Sequence, residues 1–87
     1  MTIPSNEQLS EVIKEIWSTL LDEKMAEDTN FFQVGGNSIA AIRSLARFGA
    51  ETGIELPLRA VFDHPTPAQL AAYVRQQHEM EAKISTD

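Results

Sequence analysis

Between Ser5 and Leu21 the apolar residues are Leu9, Val12, Ile13, Ile16, Trp17, Leu20 and Leu21. Their alternating steps of three and one place them on one stripe of an α-helix, which strand alternation cannot produce. Ser5 followed by Gln8 fits a capping box, and Glu7 adds negative charge beside the positive helix end. The periodicity then vanishes from Asp22 to Asn37. Asp22, Glu23, Glu27 and Asp28 surround a lone Met25, and Phe31, Phe32, Val34 and Gly35-Gly36 follow. A loop this long in a small domain suggests function. Its aromatic pair is expected to pin it to the core, its glycines to supply backbone angles closed to other residues, and its acidic residues to serve solubility.

A second helix is expected to begin at Ser38, with Asn37 or Ser38 as its cap, and to stop at Glu51-Thr52-Gly53, where the glycine can turn left-handed. Helical spacing assigns Ile39, Ile42, Leu45, Ala46 and Gly49 to its inner side and Ala40, Arg43, Ser44 and Arg47 to its outer side. Ile54, Leu56 and Leu58 alternate around Pro57 over too short a stretch for a sheet, and Leu58 to Phe62 reads as a short helix. Thr66-Pro67-Ala68-Gln69 opens a last helix with a threonine cap and a proline at the first position. Leu70, Ala71, Tyr73 and Val74 form the inner face of that helix. Beyond Gln77 the chain turns polar and is expected to fray. The pattern predicts an all-α fold: one domain over residues 1–87, with a core of about 5–78 and a frayed tail over 79–87. Three main helices and a short one make a small four-helix bundle.

Composition narrows the function. The 87 residues are 43% hydrophobic, enough for one packed core and too few for two. Seven Lys plus Arg against 13 Asp plus Glu give a net charge of -6, which repels phosphate backbones and argues against nucleic acid. No cysteine is present, so disulfides, thiolate nucleophiles and cysteine-ligated metals are excluded. No apolar run is long enough to cross a membrane, and the start of the chain lacks the basic and apolar stretches of a secretory signal. The expectation is a soluble, cytoplasmic monomer. The sequence bounds favour a free-standing protein over an excised domain.

Ordinary catalysis finds little support. His64 and His78 have no companions at metal-ligand spacing, so no metal site is expected. Gly36-Asn37-Ser38-Ile39-Ala40 lacks the second glycine of a nucleophile elbow and has no strand before it. Gly35-Gly36 is not followed by the Gly-Lys-Ser/Thr of a phosphate loop. Ser38 is the residue that stands out. It follows two glycines and opens a helix, so a phosphodiester on its hydroxyl would lie beside the positive helix end. Simple capping is the competing account, but it leaves the placement of Phe31-Phe32 before the glycines unexplained.

The segment Asn30-Phe31-Phe32-Gln33-Val34-Gly35-Gly36-Asn37-Ser38-Ile39 resembles the signature of peptidyl carrier (thiolation) domains of nonribosomal peptide synthetases, roughly Asp-x-Phe-Phe-x-Leu-Gly-Gly-(His or Asp)-Ser-Leu. Gly53 to Phe62 is similar to the loop and short third helix of that family, and Asp63-His64-Pro65-Thr66-Pro67-Ala68-Gln69-Leu70-Ala71 to the start of its last helix. The resemblance covers nearly the whole chain. It implies an acyl carrier protein-like bundle that is not itself an enzyme. It implies that Ser38 carries 4'-phosphopantetheine, donated from coenzyme A by a phosphopantetheinyl transferase, with Gly36, Asn37 and Ile39 around the attachment point. The arm would hold an aminoacyl or peptidyl group as a thioester. Adenylation, condensation, tailoring and thioesterase enzymes or domains would be its partners.

Asn37 stands in place of the usual His or Asp, Ile39 in place of Leu, and Thr29 where an acidic residue is common. Gly-Gly-Asn-Ser favours the peptidyl branch over the Asp-Ser-Leu of fatty acid and polyketide carriers. An acyl or aryl carrier of a polyketide or hybrid pathway, and a helical interaction module without a cofactor, are the alternatives. Ala40, Arg43, Arg47 and Phe62 are the candidate partner surface. For the two arginines the competing account is a solvated face, and for Phe62 it is a place in the core.

Overall fold

The computed structural model describes the backbone of residues 4–84 and the side chains of residues 4–78. Four helices follow one another: α1 (Asn6–Leu21), α2 (Ser38–Thr52), α3 (Arg59–Asp63) and α4 (Pro67–Ile84), and no strand occurs among the described residues. α1 is the central element and packs against both α4 and α2, while α3 rests on α4. Leu9, Ile13, Ile16 and Trp17 of α1 are buried, with Val12, Leu20 and Leu21 at the margin of the core. The stripe read from the sequence is therefore the stripe that packs.

Local chemistry sets the helix ends. Ser5 and Gln8 form the reciprocal capping box: Gln8 N donates to Ser5 Oγ at 3.2 Å and Ser5 N to Gln8 Oε1 at 2.9 Å. α2 ends on Gly53 at φ 75°, a left-handed conformation that glycine adopts without a Cβ clash. At the head of α4, Gln69 N donates to Thr66 Oγ1 at 3.2 Å, and Pro67 is fully buried.

Three expectations need correction. The buried residues of α2 are Ala41, Ser44 and Phe48. Leu45, as expected, and Ala40, against expectation, are half-buried beside them. Ile39, Ile42 and Ala46 project outward, the two isoleucines 66% and 54% exposed. Ser44 is 2% exposed, and its hydroxyl is satisfied by donating to Ala41 O at 2.9 Å. A hydroxyl that bonds back along its own helix can be buried at little cost. With Ala41 and Ser44 small, α2 can approach α1 closely, and Phe48 fills the remaining space. α4 does not fray near Gln77 but stays helical to Ile84. Its run of Gln, Glu, Ala and Lys consists of good helix formers. Ser85, Thr86 and Asp87 lie outside the described residues. Finally, the acidic stretch after α1 is built into the structure: Met25 is buried and Glu27 binds two other elements.

Candidate functional site

The segment leading to Ser38 is held to the bundle through Glu27 and Phe31. Ser10 Oγ, itself buried, donates to Glu27 Oε1 at 2.8 Å. Glu27 also faces Lys14 Nζ at 3.7 Å, and Lys14 lies 2.7 Å from Glu11. The hydrogen bond from Lys14 to Glu11, with the charges of Glu11 and Glu27, holds the lysine above its ordinary pKa despite some desolvation. Ala68 N donates to Glu27 O at 3.0 Å and Phe31 N to Pro65 O at 2.8 Å, so the loop is stitched to the head of α4. Phe31 is fully buried, its ring 4.7 Å from that of Trp17. Asn30 Oδ1 accepts from Phe32 N and Gln33 N at 2.9 and 3.2 Å, an Asx turn that fixes where the two rings point.

The two glycines have different tasks. Gly35 sits at φ 104°, a region that disfavours side chains. Gly36 is needed for space, because a Cβ there would overlap the Phe31 ring and carbonyl oxygen. Gly36 N donates to Phe31 O at 2.9 Å, which closes the turn just before the helix.

Asn37 is the cap of α2, with Oδ1 accepting from Ala40 N at 2.9 Å. Ser38 is thereby freed of that duty. It occupies the first helical position, is exposed, and its Oγ has no hydrogen-bond partner among the described residues. The amides of Ser38 and Ile39 likewise have no acceptor among the described residues, as expected for a first helical turn. That turn contains no acidic residue. An anion on the Ser38 oxygen would meet free amides and the positive end of a 15-residue helix, with no carboxylate in that turn to repel it.

A shallow groove of about 200 Å³ lies beside this turn, lined by Leu20 of α1 and by Asn37, Ile39, Ala40 and Arg43. It gathers four of the residues singled out in the sequence and adds Leu20, which periodicity had assigned to the core. Arg43 is exposed and has no ion-pair partner among the described residues. Arg47 lies outside the groove, with Nε 3.3 Å from Glu51 Oε2 within the same helix. Phe62 is 46% exposed, and its ring stacks on Phe32 at 4.9 Å and 12°. It therefore belongs both to the surface and to the aromatic series Trp17–Phe31–Phe32–Phe62. Ile42 and Leu58 add exposed apolar surface that the sequence reading missed. No periodic signal marked them, because the buried face of α2 is built on Ala41 and Ser44 beside Phe48. Small residues do not announce a core.

The sequence profile described as the phosphopantetheine attachment site matches residues 11–74. The chain belongs to that family. Its cofactor is 4'-phosphopantetheine, held covalently, and members carry cargo rather than catalyse. The exposed, unbonded hydroxyl beside free amides fits such a group. The chain is 44% identical over 71 residues to surfactin synthase subunit 1 of Bacillus subtilis (strain 168), covering 80% of this chain and 2% of that protein. It spans 1–2% of the length of the curated relatives it first matches. Among solved structures it resembles BlmI, a type-II acyl carrier protein from Streptomyces verticillus involved in bleomycin biosynthesis, with TM-score 0.78, 27% identity, and 83% and 88% of the two chains covered. It also resembles a peptidyl carrier protein in complex with the phosphopantetheine transferase Sfp and coenzyme A, with TM-score 0.74, 34% identity, and 87% and 99% covered.

Proposed function

We propose that the protein is a peptidyl carrier, with Ser38 Oγ as the point at which phosphopantetheine is attached. One observation carries this assignment: Asn37, not Ser38, caps α2, so the exposed Ser38 hydroxyl has no structural task. Similarity to a surfactin synthase subunit and to a peptidyl carrier protein supports aminoacyl or peptidyl cargo in nonribosomal peptide assembly. Ser38 Oγ attacks the coenzyme A phosphorus that bears the pantetheine. An oxygen–phosphorus bond forms, the nucleotide half of coenzyme A departs with its phosphate, and the serine proton passes to a base on a phosphopantetheinyl transferase. When bound, the arm supplies a terminal thiol that holds cargo as a thioester. The chain presents the oxygen, keeps it clear of neighbours and offsets the new negative charge with the first-turn amides of α2.

Adenylation, condensation, tailoring and thioesterase enzymes or domains are the further partners in this reading. Ile39, Ala40, Ile42, Arg43 and Phe62 form the surface they meet, and Arg47, engaged with Glu51, contributes less. The assignment is tested by incubating the protein with coenzyme A and a broad-specificity phosphopantetheinyl transferase, then measuring the intact mass. The expected result is the gain of one phosphopantetheine, absent in Ser38→Ala. An unchanged mass in the parent protein with several transferases would leave only a helical interaction module.

A further inference from the structure

Phe62 has an outer and an inner side. It is 46% exposed, yet its ring stacks on that of Phe32, with centroids 4.9 Å apart and planes at 12°. α3 has its own hold on the core without this stack. Ala60 is 2% exposed and Val61 fully buried, the carbonyls of Pro57, Leu58 and Ala60 accept the backbone bonds that shape the helix, and Arg59 pairs with Asp63 along it. The particular effect of the stack therefore falls on its other member, Phe32.

Phe32 belongs to the turn that leads into α2. It is only half-buried and meets a ring on two sides, Phe31 edge-on at 5.1 Å and 86° and Phe62 in the stack. Such pairs attract beyond the area they bury. Phe31 in turn is fully buried, and Gly36 lies so close to its ring and carbonyl that a Cβ would overlap both. Gly36 N donates to Phe31 O at 2.9 Å, and Asn30 Oδ1 accepts from Phe32 N at 2.9 Å, so the backbone at Phe32 is part of the same closed turn. Two residues after Gly36 the chain reaches Ser38.

We infer that Phe62 is a positioning residue for the modification of Ser38. Through Phe32 and Phe31 it holds the turn at Gly36, and so sets where α2 begins and where the Ser38 oxygen is presented. The inference rests on Ser38 being the attachment point. Attack on the phosphorus of coenzyme A needs that oxygen aligned with the bond that breaks, and a misplacement of about 1 Å in such an alignment lowers the rate steeply. A docking contact acts on how tightly the transferase holds the carrier. A positioning residue acts on the step after the complex has formed.

The test follows transfer from coenzyme A to the full chain by intact mass, with a broad-specificity phosphopantetheinyl transferase and varied carrier concentration. Phe62→Leu keeps an apolar side chain at the surface but removes the ring, Phe32→Leu removes the other half of the stack, and Phe62→Tyr keeps the ring. Circular dichroism and thermal melts identify the folded variants. Either leucine variant is expected to lower kcat and kcat/KM together by roughly three- to tenfold, with KM unchanged. The double variant should fall no further than the worse single one, and Phe62→Tyr should match the parent. A raised KM at unchanged kcat in Phe62→Leu makes Phe62 a docking contact and overturns the inference. Parental rates in both leucine variants, or losses that multiply in the double variant, overturn it too. Should Phe62→Leu fail to fold, Phe32→Leu decides alone: the same loss of kcat supports the inference and a parental kcat overturns it. A parent chain that does not load overturns the attachment site as well, whereas the other outcomes, in a parent that loads, remove only the role of Phe62.

Discussion

At the scale of single residues, the division of labour between Asn37 and Ser38 decides the site. An asparagine cap contributes about 1 kcal/mol, whereas an exposed hydroxyl without a partner contributes almost nothing to folding. Ser38→Ala is therefore expected to shift stability by less than about 0.5 kcal/mol, within the range of ordinary surface changes, while abolishing modification. Asn37→Ala should lose about 1 kcal/mol and still accept the arm, at a reduced rate, because the first turn of α2 is loosened. Urea denaturation beside intact-mass time courses checks both variants. Loss of modification in Asn37→Ala with normal stability would place Asn37 in the chemistry rather than in the cap. Gly36 offers a third check. A methyl group at that position would overlap Phe31 and force it to move, so Gly36→Ala should destabilise by about 1–3 kcal/mol, the usual range for overpacking.

At the scale of elements, α3 is the least self-sufficient helix. It has five residues, its cap residue Leu58 makes no side-chain hydrogen bond, and it rests mainly on α4. A helix so short is held by its contacts rather than by its own propensity. The stack of Phe62 on Phe32 ties it to the loop that ends at Ser38. Phe62→Ala should remove about 1 kcal/mol, in the range of an aromatic pair. Hydrogen exchange should then quicken at loop amides such as Gln33 and Gly36, while Phe62→Tyr keeps the stack and normal exchange. Phe31→Ala, by contrast, removes a fully buried ring and should cost about 3–5 kcal/mol, enough to threaten the fold. Equal exchange rates in Phe62→Ala and the parent would show that α3 and the loop are held independently.

At the scale of the whole molecule, a net charge of -6 surrounds a first turn of α2 that has no acidic residue, with Arg43 exposed beside it. Such a field favours approach by basic partner surfaces and acts mainly on association rate. Arg43→Glu should lower kcat/KM for modification by roughly tenfold at low ionic strength, because it sets a carboxylate beside a turn that has none, with the difference shrinking as salt rises. Arg47→Glu should matter less for docking and cost a few tenths of a kcal/mol in stability, because it breaks the i,i+4 pair with Glu51. A titration of modification rate against sodium chloride for the parent and both variants checks this ordering. Equal rates for Arg43→Glu and the parent at low salt would remove Arg43 from the partner surface.

The sequence by itself determined the elements. The three-and-one spacing in α1, the Ser5–Gln8 box, the turn at Gly53 and the Thr66-Pro67 start of α4 are local signals, because hydrogen bonds and steric limits within a few residues enforce them. The Phe-Phe…Gly-Gly-Asn-Ser run was legible through its resemblance to the carrier signature, whereas the seat of Phe31 against Trp17 and Pro65 joins distant parts of the chain. Tertiary structure alone decided which side of α2 is buried. Ile39 and Ile42 are more apolar than Ala41 and Ser44, yet the smaller pair faces α1, because close approach of two helices rewards small side chains and a hydroxyl can satisfy itself on its own backbone. The seat of Glu27 under Ser10 and Ala68, the stack of Phe62 on Phe32 and the groove closed by Leu20 all join residues far apart along the chain. No periodicity encodes such contacts, since they arise only when separate helices are packed together.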